Sequence, residues 1–366
     1  MKVSCQRDAL LHCVSIAASV APPRSTKPIL AGVKLVASKS GIVVLATDLD
    51  VSVRAKLPEV IVDSPGEVVI PAMTLHEILR SIESDEVRLE VSGRNCEISS
   101  EDVDYKIVTD DPDEFPDLAP ATAEGVVVPR NFLEEMFART AYAAARDVGR
   151  YAINGVLVEI GEGRLRFVAT DGRRLAMATR PLPDANFPVK KAIVPVKGLQ
   201  ECLKGTDGDT NVRVFVSDER VVFSSERCEV TTKPVEGEFP DYQAVVPREH
   251  KGRVALERDA LLGAIRKASV MAGDEMRSIR LQLVKSSLNL SARVEGRGQA
   301  KTSNVEAEVE GESSLTVDYN PDFLIDFLKP LKSETVVLEF RDANSAAVLK
   351  TGAADEVYVV MPISTN

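Results

Sequence analysis

The opening of this chain comes back twice. Val3 to Leu11 reads V-x-x-x-R-D-A-L-L, and the same pattern stands at Val254 to Leu262. A weaker copy, V-x-x-x-R-x-x-L, lies between them at Val126 to Leu133. Other markers keep the same spacing. Ala46-Thr47-Asp48 recurs as Ala169-Thr170-Asp171, 123 positions on; Pro71 recurs as Pro195, and Phe115-Pro116-Asp117-Leu118 as Phe239-Pro240-Asp241-Tyr242, each 124 positions on. Independent markers at one spacing mean a repeated structural unit. The third copy keeps its opening and a helix start at Pro321, but carries Leu288-Asn289-Leu290-Ser291-Ala292 in place of the ATD turn. Three units of ordinary domain size follow: residues 1–121, 122–248 and 249–366. Pro, Gly and charge interrupt the patterns at both boundaries.

Each unit is itself doubled. In the first, apolar spacing predicts a helix over 8–20, with Leu10, Leu11 and Val14 on one face, and a second over 73–82, just after Pro71. Alternating β-rich runs predict strands over 29–36, 42–47, 51–57 and 68–70, then over 87–91, 96–99 and 105–109. The fold class is α+β: three repeated domains, each of two helices packed on antiparallel sheets. Six such halves per chain can extend their sheets edge to edge, and a closed dimeric ring of twelve leaves no sheet edge exposed.

Composition narrows the function classes. No apolar run is long enough to cross a membrane and the first nine residues have no signal-peptide character, so the expected compartment is the cytoplasm, with no membrane partner. The five cysteines are scattered without a C-x-x-C pair, and the three histidines stand at no metal-ligand spacing, so neither metal nor cofactor is expected. The net charge of −11 does not suit an ordinary DNA binder, but net charge does not report its distribution.

Over essentially its whole length the chain resembles the bacterial DNA polymerase III beta subunit family, the sliding clamps. The likeness rests on Lys27-Pro28-Ile29-Leu30, the ATD at 46–48, Asp113-Glu114-Phe115-Pro116, Arg150-Tyr151-Ala152-Ile153-Asn154-Gly155, Ala169 to Ala176, Phe239 to Tyr242, and Tyr358-Val359-Val360-Met361-Pro362-Ile363. The resemblance implies a head-to-tail homodimer that encircles double-stranded DNA without reading its sequence. It also implies a pocket on each subunit that the replicative polymerase, the clamp loader and repair proteins share through short linear peptides.

The resemblance assigns that pocket to Arg150, Ile153, Thr170, Gly172, Arg173, Arg174, Leu175, Pro240, Val245, Val359, Val360, Met361, Pro362 and Ile363. The residue types fit: an apolar floor with an adaptable Met suits aliphatic or aromatic anchors, and the arginines suit carbonyls or acidic side chains at the rim. Arg24 and Tyr151 match positions that touch duplex DNA in the family. On predicted helices, Arg139 with Arg146 and Lys197 with Lys204 are seven apart and share faces, and Arg266 and Lys267 add cations from the third unit. At a dimer interface, Tyr105 and Ile107 on the last strand of the first unit would meet Val270 and Met271 at the end of a third-unit helix.

Two other classes compete. An Asp-based hydrolase would use Asp48 and Asp171, but no G-x-x-x-x-G-K-[ST], G-x-S-x-G or H-E-x-x-H accompanies them, and they are one position in two repeats. Both read as turn residues after a strand, and no catalytic residue is expected. A repeat scaffold that binds only proteins would share the pocket but not the ring.

Overall fold

The computed structural model describes the chain apart from residues 121–123, 147–150, 274–276, 295–297, 303, 353–354 and 364–366 and the side chain of Tyr151. Seven α-helices are described: α1 (Arg7–Val20), α2 (Ala72–Ser81), α3 (Arg130–Thr140), α4 (Val196–Gly205), the single turn α5 (Tyr242–Val245), α6 (Arg258–Ser269) and α7 (Pro321–Leu328). In α1 the buried Leu10, Cys13, Val14 and Ala17 follow the helical period, so one stripe faces the core. Helices α2 and α4 both begin directly after a proline, Pro71 and Pro195, which stands at the N-cap.

Most strands fall where alternation predicts them, with two differences. Residues 28–31 form a 3-10 turn, and the strand expected from 29 begins at Gly32. Pro28, at the first position of that turn, fixes φ and has no N–H to give to a ladder. The strand Val60–Ser64 was not expected from the sequence. It lies at a sheet edge with Ile61 exposed, so it lacks the inward apolar face that makes a strand visible in sequence.

By compactness the described chain forms two units, residues 1–133 with 194–234, and residues 134–193 with 235–366, so the middle repeat is divided between them. Sheet pairing gives the reason. In the first unit, Val51–Leu57 of the first repeat pairs antiparallel with Cys228–Thr232 of the second, inside an eight-stranded sheet. In the second unit, Arg174–Pro181 of the second repeat pairs antiparallel with Glu356–Val360 of the third. Each junction joins a half of one repeat to a half of the next, as the edge-to-edge expectation required.

Among the described residues, two outer strands correspond to these junction strands but pair on one side only. In the first unit a five-stranded sheet ends at Asp104–Val108; in the second, Gly298–Lys301 pairs with Ser287–Val294 alone. Helices α1, α2 and α4 pack together in the first unit, and α6 packs on α7 in the second. Leu10, Leu75 and Leu79 are fully buried there, each contributing about 1.5–3 kcal/mol by leaving water. The F-P-D segments lie on the sheets. Phe115 packs with Leu45 and Val69, and Phe239 with Tyr242 packs over Leu157, Val168 and Ile193.

Candidate functional site

Each junction is organised by the same turn. Thr170 Oγ1 donates to the Arg174 carbonyl and accepts the Gly172 amide, while Asp171 Oδ1 accepts the amides of Arg173 and Arg174. Thr47 and Asp48 repeat this bond for bond around Leu49, Asp50 and Val51. The central residue of each turn has positive φ, 86° at Gly172 and 82° at Leu49. Both aspartates are turn caps. The remaining oxygen of Asp48 takes the Lys197 ammonium at 2.6 Å, and that of Asp171 takes Arg174 Nε at 3.0 Å.

Above the second-unit turn opens a cavity of about 490 Å³, lined among the described residues by Ala152, Ile153, Thr170, Gly172, Arg173, Arg174, Leu175, Pro240, Tyr242, Val245, Val359 and Met361. Its floor, Ile153, Leu175, Tyr242 and Val359, is buried, whereas Val245 and Met361 are roughly half exposed at 49% and 42%. The carbonyl of Arg173 accepts the Met361 amide at 2.9 Å, which fixes the C-terminal strand along one wall. No acidic side chain lines the cavity among the described residues.

The structure thus brings together most of the residues assigned to the pocket and separates a few. Val360 is fully buried and does not line it. It neighbours Val359 on a strand, where successive side chains point to opposite faces, so it belongs to the core side of the sheet. Pro362 and Ile363 run past the cavity, the Ile363 amide binding the Asp318 carbonyl at 2.8 Å. Arg174 lines the cavity but is no rim cation, since its guanidinium is buried in ion pairs. Arg150 lies outside the described residues. Ala152 and Tyr242 were not among the assigned residues. The signal for Tyr242 was its match to Leu118 in the repeated F-P-D segment. Its hydroxyl donates to Glu159 and accepts from Arg166, each at 2.8 Å.

The cations divide in the same way. Arg139 and Arg146 do not share a helical face, because α3 ends at Thr140 and a 3-10 turn follows. Arg139 is largely buried and ion-paired with Glu356, which Arg180 also holds. On α4, Lys197 pairs with Asp48, and Lys204 with the buried Glu201 at 2.9 Å. Arg24 in the loop after α1, Arg146, and Arg266 with Lys267 in the last turn of α6 are exposed. The Tyr151 side chain lies outside the described atoms. At the proposed interface, Tyr105 and Ile107 are half-buried on the outer strand Asp104–Val108, and Val270, just past α6, is 79% exposed, with Met271 beside it partly buried.

Repeats joined by continuous sheets, with an apolar cavity beside one junction, define a protein built from repeated α+β units. Models of the DNA polymerase III beta subunit match the chain in three parts: the N-terminal domain over residues 1–119, the central domain over 127–241 and the C-terminal domain over 243–364. The beta sliding clamp of Pseudomonas putida is 30% identical, over 99% of this chain and all of that one. Among solved structures, the DNA polymerase III beta subunit of Pseudomonas aeruginosa superposes with a TM-score of 0.92 at 29% identity, covering both chains completely. The Bacillus subtilis DNA polymerase sliding clamp shares the fold with a TM-score of 0.95 at 24% identity, again over both whole chains. The chain belongs to the DNA polymerase III beta subunit family, whose three clamp domains account for its fold.

Proposed function

We propose that the protein is a non-catalytic DNA sliding clamp of the cytoplasm, a processivity factor whose head-to-tail homodimer encircles double-stranded DNA and tethers the replicative polymerase. One observation carries this reading: two of three equivalent junctions are formed within the chain, and the third is left as a matching pair of outer strands, 104–108 and 298–301. A second copy supplies what each strand lacks, so two chains satisfy every junction and close. Val270 and Met271, with Tyr105 and Ile107, supply the apolar contacts of that seam. Domain limits at 1–121, 122–248 and 249–366 follow from the same scheme.

A clamp must hold DNA without holding a sequence, which diffuse attraction to phosphates achieves. Arg24, Arg146, Arg266 and Lys267 are the exposed cations suited to this. Lys197, Lys204 and Arg139 contribute less, because their charges are already balanced by carboxylates. The pocket takes a short extended peptide with aliphatic or aromatic anchors, as polymerase, clamp loader and repair proteins would present. Arg173, exposed at the rim, favours a carboxylate beside the anchor.

The test is retention on DNA. The protein should show a mass in solution of about twice 39.7 kDa, leave closed circles slowly and leave them rapidly once they are cut. Equal loss from circular and linear DNA rejects the ring and leaves a scaffold for proteins alone.

A further inference from the structure

The Arg174 side chain turns away from the cavity it borders. Nε reaches Asp171 Oδ2 at 3.0 Å, Nη1 reaches Asp326 Oδ2 on α7 at 2.8 Å, and Nη2 donates to the Tyr142 carbonyl at 2.6 Å. The guanidinium lies over the rings of Phe323, at 4.4 Å, and Tyr142, at 5.5 Å. One buried cation therefore ties the pocket turn to α7 and to the 3-10 turn Ala141–Ala143. From there the contacts run back to the pocket wall, since the residue before Arg174 offers its carbonyl to the Met361 amide.

We infer that Asp326, which does not line the pocket, is a positioning residue for peptide capture. It holds Arg174, and Arg174 holds the turn that sets Gly172, Arg173 and Met361. The inference rests on the pocket being the peptide site. A buried guanidinium that loses one of its two carboxylates must seek water or another partner, and a shift of this side chain pulls on the strand end on which the turn depends. The first-unit turn has the same requirement met from the opposite side, by Lys197 of α4 reaching in to Asp48 and to the Val20 carbonyl. A charged tie between turn and neighbouring helix is thus present at both junctions with the signs exchanged, which points to the tie itself as the common feature.

The full-length dimer is titrated with a fluorescein-labelled pentapeptide, Ser-Asp-Leu-Leu-Phe, and anisotropy is read. Asp326→Ala should weaken binding about tenfold and Asp326→Asn by less. Asp322→Ala breaks a neighbouring α7 ion pair, Asp322 with Arg277 at 2.8 Å, that does not reach the pocket, and should leave the affinity unchanged. Amide exchange at Gly172 and Met361 should quicken in Asp326→Ala and not in Asp322→Ala. Wild-type affinity in Asp326→Ala, or equal losses in both variants, overturns the positioning role. Failure of the wild-type protein to bind the peptide rejects the pocket reading instead.

Discussion

The two junctions share a backbone and differ in what they can hold. Residue for residue, Thr47, Asp48, Leu49, Asp50 and Ser52 stand where Thr170, Asp171, Gly172, Arg173 and Leu175 stand in the second unit. The strand partners correspond as well: Thr231 faces Ser52 as Val359 faces Leu175, and the Lys233 amide binds the Asp50 carbonyl at 2.9 Å, as the Met361 amide binds that of Arg173. Leu118 of the first F-P-D segment takes the place of Tyr242. One junction thus presents Ser, Thr and Lys where the other presents Leu, Val and Met. The candidate docking site needs no new fold; it is an apolar side-chain layer laid on a turn the chain already repeats.

If that layer is the site, removing it should cost binding while the dimer stays assembled. Leu175→Ala with Met361→Ala should abolish binding of the labelled peptide while the dimer persists in a sedimentation experiment. The buried Leu175 truncation alone costs about 2–5 kcal/mol of stability in the second unit. A dimer that falls apart would move these residues from pocket to structural core. The matching change in the first unit, Ser52→Ala, should leave peptide binding at the wild-type level.

A smaller effect is expected from copying the first junction into the second. Leu49 shows that a leucine can occupy the positive-φ position of this turn, where Gly172 has no side chain and leaves the rim open. Gly172→Leu should therefore fold, at a cost of about 1–2 kcal/mol for the left-handed conformation, and should weaken the peptide by about tenfold as the new side chain crowds the rim. Normal affinity in a folded Gly172→Leu would mean that the mouth of the pocket lies elsewhere.

Much of this contrast is readable in the sequence, and the unreadable part has a physical pattern. The repeated ATD segments mark the junction turns because capping is local, set by residues two to four apart. The face of a strand is not local in that sense. Val359 and Val360 look alike in sequence, and only the register against Arg174–Pro181 decides that the first lines the cavity and the second the core. Arg139 reads as a free cation because its partner Glu356 is remote in the chain, and the division of the middle repeat depends on strand pairings that are equally remote. The cations proposed to face DNA are least legible for the same reason: what an arginine or lysine can offer to phosphate depends on which carboxylate has already claimed it.

The tie between turn and helix gives the smallest expected effect, and its sign can be worked out. Burial alone would raise the Asp48 carboxyl, but hydrogen bonds from Lys197 and from the Val51 and Asp50 amides outweigh it and hold its pKa below the usual carboxylate value. A depressed carboxylate pKa contributes stability that is fully present above the unfolded value, near 3.9, and is lost as pH falls through the folded one. Lys197 is 42% exposed on its side chain, so solvent screening limits the pair to about 0.5 kcal/mol. Lys197→Met should accordingly lower the urea midpoint slightly at about pH 7, and the difference from wild type should shrink as pH falls through the folded pKa of Asp48 and vanish once that carboxyl is protonated in both. A difference that persists undiminished in acid would show that Lys197 acts through its bond to the Val20 carbonyl and the packing of its stem, and that the charge exchange between the two junctions is incidental.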